Sequence, residues 1–333
     1  MKKRLTVLFF IVIIIFSGCG SFNKNINRNI HKWDNSKYKN FPNSIGINVY
    51  NENSFNTGIK NDPNSYKANH TLYISDLTKP ITVMFNNNGK DRKFIMNVYY
   101  DYEQIKFKIN SNGKFDQKYT FNLDDGYEIE LPLYLPQNLT KSGSHKLLIT
   151  FCIAPDLHSS DLNQTIDWYG SATIQDIIFS SENINFDNTK EFEVPKNLIK
   201  SSYNYTLNQD YDYSILKTKI LPNPPVVFTV KPNQKFKLIY NVSSPSAKES
   251  SQVLLLTTIG YKQVLINNRP YLLLKLPKGS TGIGEMELTA PDKPGLYEII
   301  SYSVCSPFSK FDGKNLLSFN IEASQRFTLK VKE

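Results

Sequence analysis

The segment PDLHSSDLNQTIDWYGS, residues 155–171, brings together side chains that suit ligand binding. It combines carboxylates and an imidazole, which supply oxygen and nitrogen ligands, with two aromatic rings that offer flat apolar faces. Such a mixture suits stacking against a sugar, holding a cation or contacting a protein partner. The alternative is that Trp168 caps a domain core and the aspartates only form turns. The candidate ligand-binding residues are Asp156, His158, Asp161, Asp167, Trp168 and Tyr169.

Two pairs of glutamates are each spaced by two residues, Glu128 with Glu130 and Glu285 with Glu287. In a β-strand this spacing places both carboxylates of a pair on one face. Glycoside hydrolases use paired carboxylates, but there the pair flanks a substrate in a cleft and one pKa is raised. Apolar residues alternate with these glutamates, so the pattern favours a solvated outer face of a strand.

The other residues that serve catalysis show no recognisable arrangement. The four histidines form no HExxH motif and no pair at metal-ligand spacing. The glycine-rich segment 278–285 leads into a predicted strand and lacks the lysine and helix of a phosphate-binding loop. No Gly-x-Ser-x-Gly elbow occurs. The sequence therefore predicts no catalytic residue, no metal site and no cofactor.

The N-terminus has the features of an exported chain. The basic residues MKKR precede an apolar run over residues 5–16, which is long enough for a secretory segment but shorter than the roughly 20 residues of a membrane-spanning helix. The small residues before Cys19 resemble the lipobox of bacterial lipoproteins, although Phe16 departs from the aliphatic residue that this family prefers. The resemblance covers 19 residues. It implies that residues 1–18 are a signal peptide and that the Cys19 thiol carries a diacylglycerol in the membrane; the alternative is an uncleaved anchor.

The net charge of +9 is concentrated near the N-terminus. Residues 2–4 contribute +3 and residues 20–44 contribute +4, which leaves +2 for the remainder. Residues 19–44 are rich in Asn, Lys and Ser without apolar periodicity, so we predict an acylated, flexible tether with a reach of roughly 25–30 Å. Basic residues beside an anionic membrane each add about 1 kcal/mol of attraction. A nucleic-acid partner is not expected, because such a binder carries its cations on the folded domain.

The rest of the sequence has the periodicity of β-strands. Short runs rich in β-branched and aromatic residues alternate with Asn, Gly, Asp and Pro turns, and only residues 172–181 are compatible with a helical turn. The length predicts two domains at about 150 residues each. Prolines near residue 222 mark the boundary, and we expect residues 220–333 to fold alone. The predicted organisation is β-sandwich domain 1 over 45–195, a linker over 196–222 and β-sandwich domain 2 over 223–333.

The two halves share short matching segments in the same order, which predicts a tandem repeat. The displacements between matches are 159, 157 and 152 residues, small differences that loop insertions would produce. A glycine that opens a strong strand is followed twelve residues later by a proline in both halves. The matches are DYEQI (101–105) with GYKQV (260–264), EIEL (128–131) with EMEL (285–288), and Gly143 and Pro155 with Gly295 and Pro307.

DKPGLYEIISYSV, residues 292–304, resembles the E–F corner of an immunoglobulin-like β-sandwich. Gly295 would make the turn and Tyr297 would return its hydroxyl to the backbone; His145 is at the matching position of the first half. The resemblance implies an all-β fold with two tandem Ig-like β-sandwich domains, without the Cys, Trp, Cys signature of antibody domains. It names an architecture and leaves the function open.

Cys152 and Cys305 are too few for a disulfide framework in a chain of this length, so we expect buried free thiols. Cys152 lies nine residues after its glycine and Cys305 ten, so the two side chains should point to opposite sheet faces.

Together these features predict a membrane-anchored lipoprotein on the extracytoplasmic face of a bacterial cell membrane. We expect it to contact membrane lipid through Cys19 and to bind a protein or envelope polysaccharide without catalysing a reaction. The alternatives are an extracellular hydrolase or its accessory subunit that uses the 155–171 loop, and a structural spacer.

Overall fold

The computed structural model describes residues 30–32, 44–52, 71–139, 143–159, 170–179, 190–200, 216–217, 227–244, 249–309 and 321–333. The chain is all-β and forms two tandem immunoglobulin-like sandwiches, each made of two packed sheets, as predicted. No helix among these residues has the length and apolar character needed to cross a membrane.

Ten strands among the described residues build the first sandwich. Its outer sheet has the order β1-β8-β4-β2 and its joining sheet, which faces the second sandwich, has the order β3-β10-β9-β5-β6 with β7 also paired to β5. β3 and β10 are parallel, and the other pairs are antiparallel. The strands are β1 (Ile30–Lys32), β2 (Ile45–Tyr50), β3 (Thr71–Tyr73), β4 (Ile81–Asn87), β5 (Arg92–Tyr100), β6 (Glu103–Gln104), β7 (Lys118–Leu123), β8 (Tyr127–Leu133), β9 (Ser144–Ile153) and β10 (Gly170–Ile178).

The second sandwich repeats this arrangement. Its outer sheet has the order β11-β18-β14-β12 and its joining sheet has the order β13-β21-β19-β15-β16, with β17 paired to β15 and β20 to β19. β13 and β21 pair in parallel, as β3 and β10 do. The strands are β11 (Asn197–Lys200), β12 (Leu216–Lys217), β13 (Val227–Val230), β14 (Lys235–Ser243), β15 (Ser251–Ile259), β16 (Lys262–Val264), β17 (Leu272–Leu276), β18 (Ser280–Thr289), β19 (Gly295–Cys305), β20 (Ile321–Ala323) and β21 (Phe327–Val331).

The strand orders confirm the tandem repeat. β1 corresponds to β11, β8 to β18, β4 to β14 and β2 to β12, while β20 and β21 together take the place of β10. Each sandwich has its own apolar core between its two sheets. In the first core, Phe121 lies between Phe85 and Phe94, with ring centroids 5.1 Å apart in both pairs.

A third apolar cluster joins the two sandwiches. It contains residues from the outward faces of both joining sheets, which explains why β9 and β19 are buried along almost their whole length. The isolated segment 220–333, predicted to fold alone, would expose this face and would lack β11 and β12. The buried members of the cluster are Ile95, Tyr99, Tyr102, Leu148, Cys152, Ile174, Leu254, Leu256, Tyr261, Ile300, Tyr302 and Val304.

Three finer expectations are corrected by the strand pairing. β1 lies inside the predicted tether 19–44 but pairs with β8, and Ile30 packs on the first core. β11 lies inside the predicted linker 196–222 but pairs with β18. Residues 172–178, compatible with a helical turn, belong to β10. Edge strands of two to four residues are too short to carry a period, and tertiary pairing overrides local propensity.

The corner features follow the prediction in the second sandwich. The Tyr297 hydroxyl donates to the Lys293 carbonyl at 2.9 Å, as a tyrosine corner requires. His145 replaces it in the first sandwich and forms a hydrogen bond with Asp101 through Nδ1, at 2.7 Å. Cys152 and Cys305 are buried free thiols that belong to different clusters, which confirms the predicted opposite faces.

Candidate functional site

The joint between the sandwiches is centred on two equivalent hairpins, β5–β6 and β15–β16. The Gln104 backbone N–H donates to Gln263 Oε1 at 2.7 Å, and the Gln263 backbone N–H donates to Gln104 Oε1 at the same distance. Each glutamine Nε2 donates to the carbonyl of the tyrosine in the other hairpin, Tyr261 or Tyr102, at 2.9 Å. This reciprocity shows that the repeats meet through equivalent surfaces, like the two halves of a symmetric dimer.

Tyr102 and Tyr261 extend the joint to the loops that follow β9 and β19. The Tyr261 hydroxyl donates to the Pro155 carbonyl at 3.2 Å, and the Tyr102 hydroxyl donates to the Pro307 carbonyl. Both tyrosines occupy the second position of a two-residue turn with positive φ, 68° and 62°. A tyrosine is strained there. Its hydrogen bond across the joint offsets that strain.

A cation from each sandwich binds backbone carbonyls of the other. The Arg326 guanidinium donates to Ile153 at 2.8 Å, to Ala154 at 2.7 Å and to Leu157. In the opposite direction, Lys146 Nζ donates to the Ser309 carbonyl and forms a buried ion pair with Asp176. Leu157 and Ser309 are equivalent positions, separated by 152 residues. The loops 154–159 and 306–309 are therefore each fixed by the neighbouring sandwich.

A buried carboxyl lies beside this arrangement. Glu298 is the repeat equivalent of Lys146, and burial raises its pKa to about 7 against the opposing charges of Arg326 and Lys118. Its Oε1 atom has no hydrogen-bond partner among the described residues. Sequence reasoning missed Lys146, Asp176, Glu298 and Arg326. The sequence signal that could have indicated such a buried charge is a charged residue within a long apolar run, such as Lys146 in HKLLITFCI.

The predicted binding residues fall partly on this joint. Asp156 is exposed and forms an ion pair with Lys93. His158 is partly buried; burial and the Arg326 charge lower its pKa, and its Nδ1 has no hydrogen-bond partner among the described residues. Asp161, Asp167, Trp168 and Tyr169 lie outside the described residues, as does Cys19.

The glutamate pairs lie on the outer sheets, as the alternation indicated. Glu287 forms an ion pair with Lys235 at 2.7 Å and Glu285 with Lys237 at 3.1 Å. Glu130 accepts a hydrogen bond from the Tyr50 hydroxyl. These contacts suit a solvated face of cross-strand pairs.

The described residues offer neither a metal site nor a pocket of ligand size. No group of three or more His, Cys, Asp or Glu side chains in the described ranges is arranged to hold a metal ion. A cleft beside β3 and β4, lined by residues that include Asn51, Tyr73 and Lys79, has a volume of about 40 Å³. Small-molecule pockets usually have roughly 300 Å³ or more, so this cleft suits water rather than a ligand.

Neither a protein-family model nor a curated protein matches the sequence. Among solved structures, the chain is similar to a trypsin-activated α2-macroglobulin from Escherichia coli, with 9% identity over 76% of this chain and 17% of that chain and a TM-score of 0.24. It is also similar to the C-terminal domain of the Streptococcus pyogenes antigen I/II-family protein AspA, with 8% identity over 87% and 99% of the two chains and a TM-score of 0.21. The first comparison spans about a sixth of the macroglobulin. These scores carry no argument about function.

Proposed function

We propose that this protein is a lipid-anchored binding protein on the extracytoplasmic face of a bacterial membrane, and that it holds a protein or envelope polysaccharide. The observation that supports binding is the fixed joint, because Arg326 and Tyr261 hold the first residues of the 155–171 segment, Leu157 and Pro155, against the second sandwich. A recognition segment whose base is already ordered loses less entropy when it binds. Asp156 is exposed at that base.

The anchor is proposed at Cys19, eleven residues before Ile30. A fully extended chain spans at most about 3.6 Å per residue, so the first strand must lie within about 40 Å of the acylated thiol. The early start of β1 therefore makes the proposed tether shorter than its composition suggested. The binding segment would then operate close to the membrane surface.

The anchor is tested by Cys19→Ala. Because the thiol is the proposed acyl acceptor, this variant is expected to incorporate no fatty-acid analogue and to leave the membrane fraction or remain an unprocessed precursor. Metabolic labelling followed by membrane fractionation measures both outcomes, and Cys152→Ala serves as the matched control because that thiol is buried. Equal labelling of Cys19→Ala and the parent would exclude the lipoprotein assignment.

The binding segment is tested by Trp168→Ala. Truncating a central aromatic residue of an interface commonly costs 2 kcal/mol or more, so we expect about thirtyfold weaker binding with a nearly unchanged melting temperature. The probes are purified cell-wall polysaccharide and the envelope protein that co-purifies with the acylated parent. Leu296→Ala, an exposed apolar residue at the start of β19, is the control.

A loss of several degrees in the melting temperature of Trp168→Ala would identify Trp168 as a core residue. It would overturn the proposal that residues 155–171 are a binding segment. Unchanged affinity for both probes would favour the spacer alternative, because a spacer tolerates changes in its loops.

A further inference from the structure

An exposed apolar group lies on β11 and the residues before it. Val194, Leu198 and Ile199 are 56%, 41% and 51% exposed, and every residue of β11 is exposed. β11 is the edge of its sheet in the order β11-β18-β14-β12. Neighbouring residues of a strand point to opposite faces, so an edge strand normally buries one of Leu198 and Ile199. Here both remain accessible. We call Val194, Leu198 and Ile199 together the β11 patch.

Exposed lysines flank the β11 patch. Lys196 and Lys200 flank the two apolar residues in sequence, and both are exposed. Lys200 pairs in register with Ser280, two residues from the exposed Lys278. The nearest carboxylates in sequence are Glu193, which is paired with Arg269, and Glu191, which is exposed. The segment thus combines inserting apolar side chains with lysines whose long stems reach past them, a composition suited to anionic lipid headgroups.

The β11 patch lies on the same side of the molecule as the strand nearest the proposed anchor. β1 is next to β8, and β8 contacts β7 at the edge of the joining sheet. In the second sandwich β11 is next to β18, and β18 contacts β17. β6 and β16, which share that edge with β7 and β17, contact each other across the joint. The β1 and β11 edges therefore form one flank of the four-sheet stack.

We infer that this flank docks on the membrane, with the β11 patch inserted among anionic phospholipid headgroups. The inference rests on the proposed lipid anchor, because β1 begins eleven residues after Cys19. Acylation holds the protein at the surface, and the β11 patch then orients it, so that the opposite flank, with β2 and β3, faces outward.

The test uses the acylated protein purified from membranes and reconstituted on vesicles of phosphatidylglycerol and phosphatidylcholine. A nitroxide is attached at Ile199→Cys or, as the matched control on the opposite edge, at Tyr73→Cys, which is 52% exposed. Cys152 and Cys305 do not compete for the label, because burial raises the pKa of both thiols to about 12. Collisions of the nitroxide with oxygen and with a water-soluble nickel chelate report its contact with lipid.

We expect the oxygen-to-nickel collision ratio at residue 199 to rise several-fold on vesicles and the ratio at residue 73 to stay unchanged. Each lysine near an anionic surface contributes about fivefold to binding, so Lys196→Gln with Lys200→Gln should weaken docking by about 25-fold.

Equal ratios at both sites, on vesicles that retain the protein, would overturn the docking flank and leave the anchor intact. Failure to sediment with vesicles would overturn the anchor. Protection of residue 199 that appears only after envelope protein is added would assign the β11 patch to a protein partner and overturn the inference.

Discussion

Lys146→Met is expected to destabilise the folded chain by about 3–5 kcal/mol. The Lys146 and Asp176 side chains are 4% and 2% exposed, and Lys146 also donates to Ser309 in the other sandwich. Burial lowers the pKa of Lys146, and the Asp176 charge opposes that change. Removing the ammonium leaves a buried carboxylate without that charge and removes a contact across the joint. The free energy of unfolding from urea titration measures the effect.

The matched control is Lys93→Met, which removes the exposed ion pair with Asp156 and should cost about 1 kcal/mol or less. The double variant Lys146→Met with Asp176→Leu removes both charges and should recover most of the lost stability. A loss below about 1 kcal/mol for Lys146→Met alone would show that the pair is solvated in solution.

The second large effect is a pH dependence of the free energy of unfolding, which comes from Glu298. Burial raises its pKa from 4.5 to about 7 in the folded chain, against Arg326 and Lys118. Below about pH 4.5 both states hold the proton, whereas between 4.5 and 7 only the folded state does. The stability that this group contributes is therefore present at low pH and is lost as the pH rises through that window. The loss amounts to about 3 kcal/mol above pH 7.

Glu298→Gln should abolish this component, so the parent and the variant should diverge in stability between pH 5 and 8. Urea titrations across that range give the difference directly, and Glu191→Gln, at an exposed site, should follow the parent. Parallel curves of unfolding free energy against pH for the parent and Glu298→Gln would contradict this prediction. They would show that the titration of Glu298 does not affect stability between pH 4.5 and 7.

The parts of the fold predicted from sequence are those with a sustained period or a repeated segment. β4 alternates buried and half-buried residues along ITVMFNN, which is a clear strand signal. The recurrence of DYEQI as GYKQV indicated the repeat, and the structure gives its cause, because Tyr102, Gln104 and their equivalents form the joint. The packing of the two sandwiches had a weaker signal, the continuous apolar run of β9.

The parts that escaped prediction depend on residues distant in sequence. Three residues of β1 carry no period, and their pairing with β8 is decided about a hundred residues later. Lys146 and Arg326 look like surface cations until the other sandwich supplies the carbonyls that they bind. The 155–171 segment was chosen for its composition, and only its fixed base lies within the described part of the chain.

If Cys19 carries the proposed lipid anchor, the three-residue pairing of β1 with β8 has a mechanical consequence. Tension between the membrane and a bound partner would then reach Ile30, in the shortest described strand of the outer sheet in the first sandwich. The few backbone hydrogen bonds between β1 and β8 would break before those of the longer pairing between β4 and β8. Ile45, where β2 begins, is fifteen residues after Ile30, so release of β1 would lengthen the connection to the membrane by at most about 50 Å. The β1 and β8 pairing would therefore set how close to the membrane the two sandwiches are held.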